Sequence, residues 1–61
     1  MLNTLLKKVR EKTGLTQVEV AKQAKISERA YQNYEAGKRV PNVITAKLIA
    51  KVLETPVEKL F

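Results

Sequence analysis

Arg29, Gln32 and Asn33 carry forked or paired hydrogen-bonding ends and fall close together in the chain, and the cations Lys38 and Arg39 follow them. Guanidinium and carboxamide groups recognise planar partners through paired hydrogen bonds, and Lys and Arg attract anions. Such side chains bind; they do not break bonds. The residues that would are missing: the chain has no His, no Cys and no Asp, and all six of its acids are Glu. That removes the imidazole base, the thiol nucleophile, the usual zinc ligands and any disulfide. The chain is therefore expected to be no enzyme, with no metal, no cofactor and no evident small-molecule ligand. Twelve Lys and Arg against six Glu leave a net charge of +6. This points to nucleic acid or an anionic membrane as partner, or to nothing beyond solubility.

These side chains need elements to hold them. With 61 residues there is room for one domain, residues 1–61, and the 44 % apolar content fits a globular chain better than a disordered one. Leu2, Leu5, Leu6 and Val9 lie at i, i+3, i+4 and i+7, the stripe of an amphipathic helix that Thr13-Gly14 ends. Thr16 and Glu19 form a capping-box pattern for a second helix running to about Ala24, with Val20, Ala21 and Ala24 as a small-residue inner face. Ser27 caps a third helix to about Glu35, stopped by Ala36-Gly37. If Tyr31 and Tyr34 face inward there, Arg29, Gln32 and Asn33 project together on the other side. The tyrosine spacing favours core packing over base stacking, with each hydroxyl at the surface.

Lys38 to Asn42 reads as a basic loop, and Val43 to about Leu53 as a fourth helix with Ile44, Leu48, Ile49 and Val52 as its apolar stripe. Thr55-Pro56-Val57-Glu58 repeats a helix-start signal, with Thr as cap and Pro at the first position, so a short fifth helix carrying Val57, Leu60 and Phe61 is expected. No period-two alternation and no internal repeat occurs, and the expected class is all-α.

The stretch from Thr16-Gln17-Val18-Glu19 through Ala24, Ile26, Ser27, Tyr31, Tyr34, Glu35, Gly37, Lys38, Arg39 and Pro41 closely resembles the Cro/C1-type (XRE-type) helix-turn-helix domain of phage repressors and small bacterial regulators. The resemblance covers nearly the whole chain. It implies a compact five-helix, lambda-repressor-like DNA-binding domain whose helix-turn-helix unit is formed by helices two and three, about residues 16–36. One departure is Lys25, where family members often carry Gly in the turn; a left-handed backbone there costs Lys roughly 1 kcal/mol.

The resemblance further implies that helix three enters the major groove of double-stranded DNA. Ser27, Glu28, Arg29, Gln32 and Asn33 are then the base-reading candidates. Arg29 suits guanine, Gln32 or Asn33 adenine, and Glu28 cytosine. A carboxylate near phosphates needs a partner, for which Arg29 or Lys25 is available to Glu28. Gln17, Lys38, Arg39 and Lys22 are expected on phosphates, with Lys8 and Lys12 as further candidates. Arg10 and Glu35 match a partly buried ion pair of the phage repressors. Val57, Leu60 and Phe61 either complete the core or meet a second subunit, since a homodimer on DNA would read a two-fold symmetric operator.

The function so implied is sequence-specific transcription regulation, most simply repression by occluding a promoter. The alternative is a protein-interaction module on the same fold, such as an antitoxin or adaptor. Membrane docking of helix one through Lys7, Lys8, Arg10 and Lys12 competes poorly, because its apolar face is needed for the core. The longest apolar run, Leu48-Ile49-Ala50, is far below the roughly 20 residues of a membrane span. Met1-Leu2-Asn3 starts no signal peptide, so a soluble, cytoplasmic protein is expected.

Overall fold

A computed structural model describes residues 4–61; Leu2, the first member of the expected stripe, lies outside them. The described residues form four α-helices and one 3-10 turn, with no strand among them. These are α1 (Thr4–Thr13), α2 (Gln17–Gln23), α3 (Glu28–Glu35), α4 (Val43–Val52) and the turn Val57–Lys59.

Local chemistry explains the boundaries. Gly14 follows α1 with φ of 78°, a left-handed conformation that glycine adopts without a Cβ clash. At α2 the Thr16 hydroxyl accepts from the Glu19 N–H at 3.1 Å and the Glu19 carboxylate accepts from the Thr16 N–H at 2.9 Å. This is the reciprocal capping box the sequence predicts. The Ser27 hydroxyl accepts from the Ala30 N–H at α3, and Asn42 Oδ1 from the Thr45 N–H at α4. Each such cap is worth about 1 kcal/mol.

The core gathers Leu6, Val20, Ala21, Ala24, Tyr31, Ile49, Ala50, Leu53 and Leu60, with Val9, Leu15, Ile26, Tyr34, Val52 and Val57 against it. Two expectations are corrected by it. Leu5 is 50 % exposed, so only Leu6 and Val9 of the described α1 stripe turn inward. The buried face of α4 is Ala46, Ile49, Ala50 and Leu53, while Ile44 is 73 % exposed and Leu48 39 %. Residues 46, 49, 50 and 53 have the same i, i+3, i+4, i+7 spacing. The two alanines let α4 approach the core closely, which larger side chains on that face would prevent.

The expected fifth helix is a single 3-10 turn. Pro56 stands at its N-cap rather than inside it, with ψ of 139°. The Thr55 hydroxyl caps nothing there; it donates back to the Leu53 carbonyl at 3.0 Å, closing the end of α4. Within the turn region Leu60 is 3 % exposed and seals the core.

Candidate nucleic-acid interface

Four residues separate α2 from α3. The Ile26 N–H donates to the Ala21 carbonyl and the Lys25 N–H to the Lys22 carbonyl, the two bonds of a Schellman ending, with Lys25 at φ of 61° in the left-handed position. Ser27 then caps α3. The buried small side chains Ala21 and Ala24 and the ring of Tyr31 pack the two helices together, which fixes how α3 is presented.

Tyr31 is fully buried on the inner face of α3 and Tyr34 half-buried. On the outer side Ser27, Glu28, Arg29 and Gln32 are exposed and Asn33 half-buried. Ser27 and Glu28 are thus exposed at the N-terminal end of the capped helix, and Arg29, Gln32 and Asn33 lie along it on the side away from Tyr31. The partner of Glu28 is neither Arg29 nor Lys25. Gln32 Nε2, one turn on, donates to Glu28 Oε2 at 3.1 Å, as an i, i+4 pair on a helix can. That bond still leaves Gln32 one amide N–H and its carbonyl. Ser27 Oγ accepts from the backbone and keeps its own O–H as a donor.

Beyond α3, Lys38 and Arg39 are exposed, and their backbone N–H groups converge on the Asn33 carbonyl at 2.9 and 3.4 Å. The basic loop is therefore tied to the end of the helix it follows. Lys22 is exposed on α2, and Lys8 and Lys12 on α1.

Glu35 is the hub beneath this surface. Arg10 Nε donates to Glu35 Oε2 at 2.6 Å, with side-chain exposures of 12 % and 5 %, and Arg10 Nη2 reaches Glu35 Oε1 at 3.4 Å. Gln17 Nε2 donates to Glu35 Oε1 at 2.9 Å, and Arg10 Nη1 to the Leu15 carbonyl at 2.9 Å. One carboxylate and one guanidinium so connect α1, the α1–α2 turn, the first residue of α2 and the last of α3. Burial pushes the Glu35 carboxyl up, but the hydrogen bonds from Arg10 and Gln17 with the Arg10 charge prevail and hold it below the usual carboxylate range. The hydrogen bond to Glu35 raises the Arg10 guanidinium.

The Tyr31 hydroxyl is also buried, without a hydrogen bond of acceptable geometry, contrary to the surface position expected for it. Burial, with the nearby Glu35 carboxylate, pushes this phenol well above its ordinary value.

Of the three residues with an expected core or dimer role, Leu60 belongs to the core, Val57 is half-buried and Phe61 is 39 % exposed. Val40 and Val43, to which the sequence reading gave no role, and Ile44, which it placed in the inner stripe of the fourth helix, are all strongly exposed. Val43 lines a shallow apolar cavity with Pro41, Ala46, Lys47, Val57, Glu58 and Phe61. The run Val40-Pro41-Asn42-Val43-Ile44 carries the only signal, as its apolar residues exceed what one helix face can bury. Among the described residues no helix is long and apolar enough to cross a membrane, and no three His, Cys, Asp or Glu side chains gather in a way that could hold a metal.

A helix-turn-helix family profile matches residues 6–60. The chain is 45 % identical over 53 residues to a Bacillus subtilis (strain 168) protein described as the uncharacterized HTH-type transcriptional regulator YqaF. That alignment covers 87 % of this chain and 70 % of the relative. No solved structure matches.

Proposed function

The chain belongs to the helix-turn-helix family, and from that membership we propose that it is a DNA-binding transcription regulator that reads a two-fold symmetric operator and represses by occlusion. The observation that carries this reading is the capped helix α3, with Ser27, Glu28, Arg29 and Gln32 exposed, Asn33 half-buried and Glu35 held at its end by Arg10 and Gln17. Arg29 pairs with guanine O6 and N7, Gln32 or Asn33 with adenine, and Glu28 accepts from cytosine N4. Lys38, Arg39, Lys22 and the Gln17 amide hold phosphates. The Gln17 amide nitrogen has a second N–H beyond the one given to Glu35, and that one serves the phosphate.

Residues 1–61 act as one binding unit in the bacterial cytoplasm, with no catalytic step and no cofactor. Two copies occupy the operator. Their contact is the outward aliphatic surface of Val40, Val43 and Ile44 with Val57 and Phe61, while Leu60 supports it from the core. The same exposed surface is what favours the second reading, an antitoxin or adaptor whose protein partner covers it.

Selection of bound sites from random duplex tests the proposal, with recovery of a two-fold symmetric sequence expected. On the recovered duplex, Arg29→Ala should relax preference at one base position of each half-site, costing about 1–3 kcal/mol there. Lys38→Ala should weaken every sequence alike and lower the salt slope by about 0.9. Equal loss on selected and random duplex for both variants would remove α3 from readout. Enrichment of no sequence would favour the adaptor reading.

A further inference from the structure

Glu28 and Gln32 lie one turn apart on α3, both exposed and joined by the hydrogen bond from Gln32 Nε2 to Glu28 Oε2 at 3.1 Å. An ionised carboxylate accepts hydrogen bonds and donates none, whereas a carboxamide has two N–H donors at one end and a carbonyl acceptor at the other. Glu28 therefore decides which way the Gln32 amide faces. The amide nitrogen is turned to the carboxylate, and one of its two N–H groups is used there. Gln32 is left with one donor beside one acceptor for an outside partner. Without Glu28 the same amide is free to offer both of its N–H groups.

That difference matters at a base edge. In the major groove adenine presents the acceptor N7 beside the donor N6–H, while guanine presents two acceptors, N7 and O6. One donor beside one acceptor matches adenine. Against guanine the same arrangement sets the Gln32 carbonyl oxygen on O6, and only withdrawing the second N–H from Glu28 relieves the mismatch. On an exposed helix such an i, i+4 pair is weak. Between protein and DNA, where water is excluded, a carboxylate that loses its donor pays a larger desolvation penalty.

We propose that Glu28 is a positioning residue that sets base specificity: by holding one N–H of Gln32 it makes Gln32 a reader of adenine and excludes guanine at that base pair. This deepens the DNA-binding reading above and rests on it. Gln32, exposed and oriented in this way, is then the adenine reader rather than the half-buried Asn33. Glu28 acts on that base pair without touching it. Its other oxygen, Oε1, is left for the cytosine assigned to it above, so the two side chains read two base pairs as one unit.

The test uses selected duplex remade with each of the four bases at the position that Gln32→Ala relaxes. Adenine is the base expected there, and guanine should bind the wild-type chain about tenfold more weakly. Glu28→Ala should bring the two within about threefold, guanine gaining beyond any change common to all four bases. Removing a carboxylate near phosphates strengthens binding to every sequence alike, so the adenine-to-guanine ratio separates positioning from charge. In the Gln32→Ala background the same substitution should leave that ratio unmoved. A selected base other than adenine, a ratio that Glu28→Ala does not change, or a change that persists without Gln32 overturns the proposal. Both side chains are exposed, so the variants keep the fold, which amide-resonance dispersion verifies. In the free chain Glu28→Ala should shift one of the two Gln32 side-chain amide protons, and two unmoved protons overturn the pair on their own. Selection of no sequence at all would defeat the DNA-binding reading while the free-chain resonances still decide the pair, so the two failures are distinct.

Discussion

Glu35 shows how one residue ties the stability of this chain to its proposed binding surface. Its carboxylate is 7 % exposed and receives Arg10 from α1 and Gln17 from α2. Removing one partner of a largely buried pair leaves the other uncompensated, so Arg10→Met should destabilise by about 3–5 kcal/mol, as read from urea unfolding. That is a large share of the roughly 5–15 kcal/mol available to a domain. Replacing both partners by apolar residues of similar volume should cost far less, because no charge is left buried. The pair also sets a pH dependence. Its carboxyl lies below the ordinary 4.5 in the folded chain, so the unfolded chain binds the proton first as pH falls. The stabilisation is complete above pH 4.5 and disappears as pH drops through the lower folded value. Urea midpoints should therefore decline with acid in the wild type and flatten over that window in Glu35→Gln. An identical acid decline in both would show that other carboxylates control it.

At the scale of elements, helix starts were legible because a cap is a local event: Thr16 with Glu19 and Ser27 with the Ala30 N–H need only neighbours three residues away. The face of α4 was not legible in the same way. Ile44 and Leu48 outweigh Ala46 and Ala50 in hydrophobicity, yet the alanines are buried because close helix approach depends on smallness. The fifth helix failed for a related reason, since the Thr55 hydroxyl had a competing acceptor in the Leu53 carbonyl. Nor could spacing alone reveal that Gln17 meets Glu35, or that Glu28 pairs with Gln32 and leaves Arg29 and Lys25 aside. The left-handed helix endings yield a prediction of their own. A non-glycine residue there costs about 1–2 kcal/mol, while glycine gives back about 0.4–1 kcal/mol through its freer unfolded state. Lys25→Gly and Glu54→Gly should thus each stabilise by about 0.5–1 kcal/mol, raising the thermal midpoint by several degrees in a domain this small. A lower midpoint for either would mean that its side chain already makes a compensating contact within one copy.

One copy is too small to span the two-fold symmetric operator proposed above. Its extents are 23 × 21 × 19 Å, whereas successive major grooves on one face of a duplex are about 34 Å apart. On such an operator one copy would reach one half-site, and specificity over the full site would depend on what joins two copies. The aliphatic surface around Val40, Val43 and Ile44 is the apolar patch next to the α3–α4 loop, with Lys47 and Glu58 at its cavity. In the proposed two-fold contact, Lys47 of one copy would be available to Glu58 of the other. Ile44→Lys separates this role from folding, because the side chain is 73 % exposed and such surface changes shift stability by under about 0.5 kcal/mol. Binding to an isolated half-site should be unchanged or slightly tighter through the added cation. Binding to the symmetric full site should lose its coupling, a weakening within the roughly 5–150-fold range of such linkages. Parallel titrations of half-site and full-site duplex at one salt concentration decide it. Full-site affinity that survives the substitution would mean that this surface does not join the two copies, and that each half-site is held by its own α3 alone.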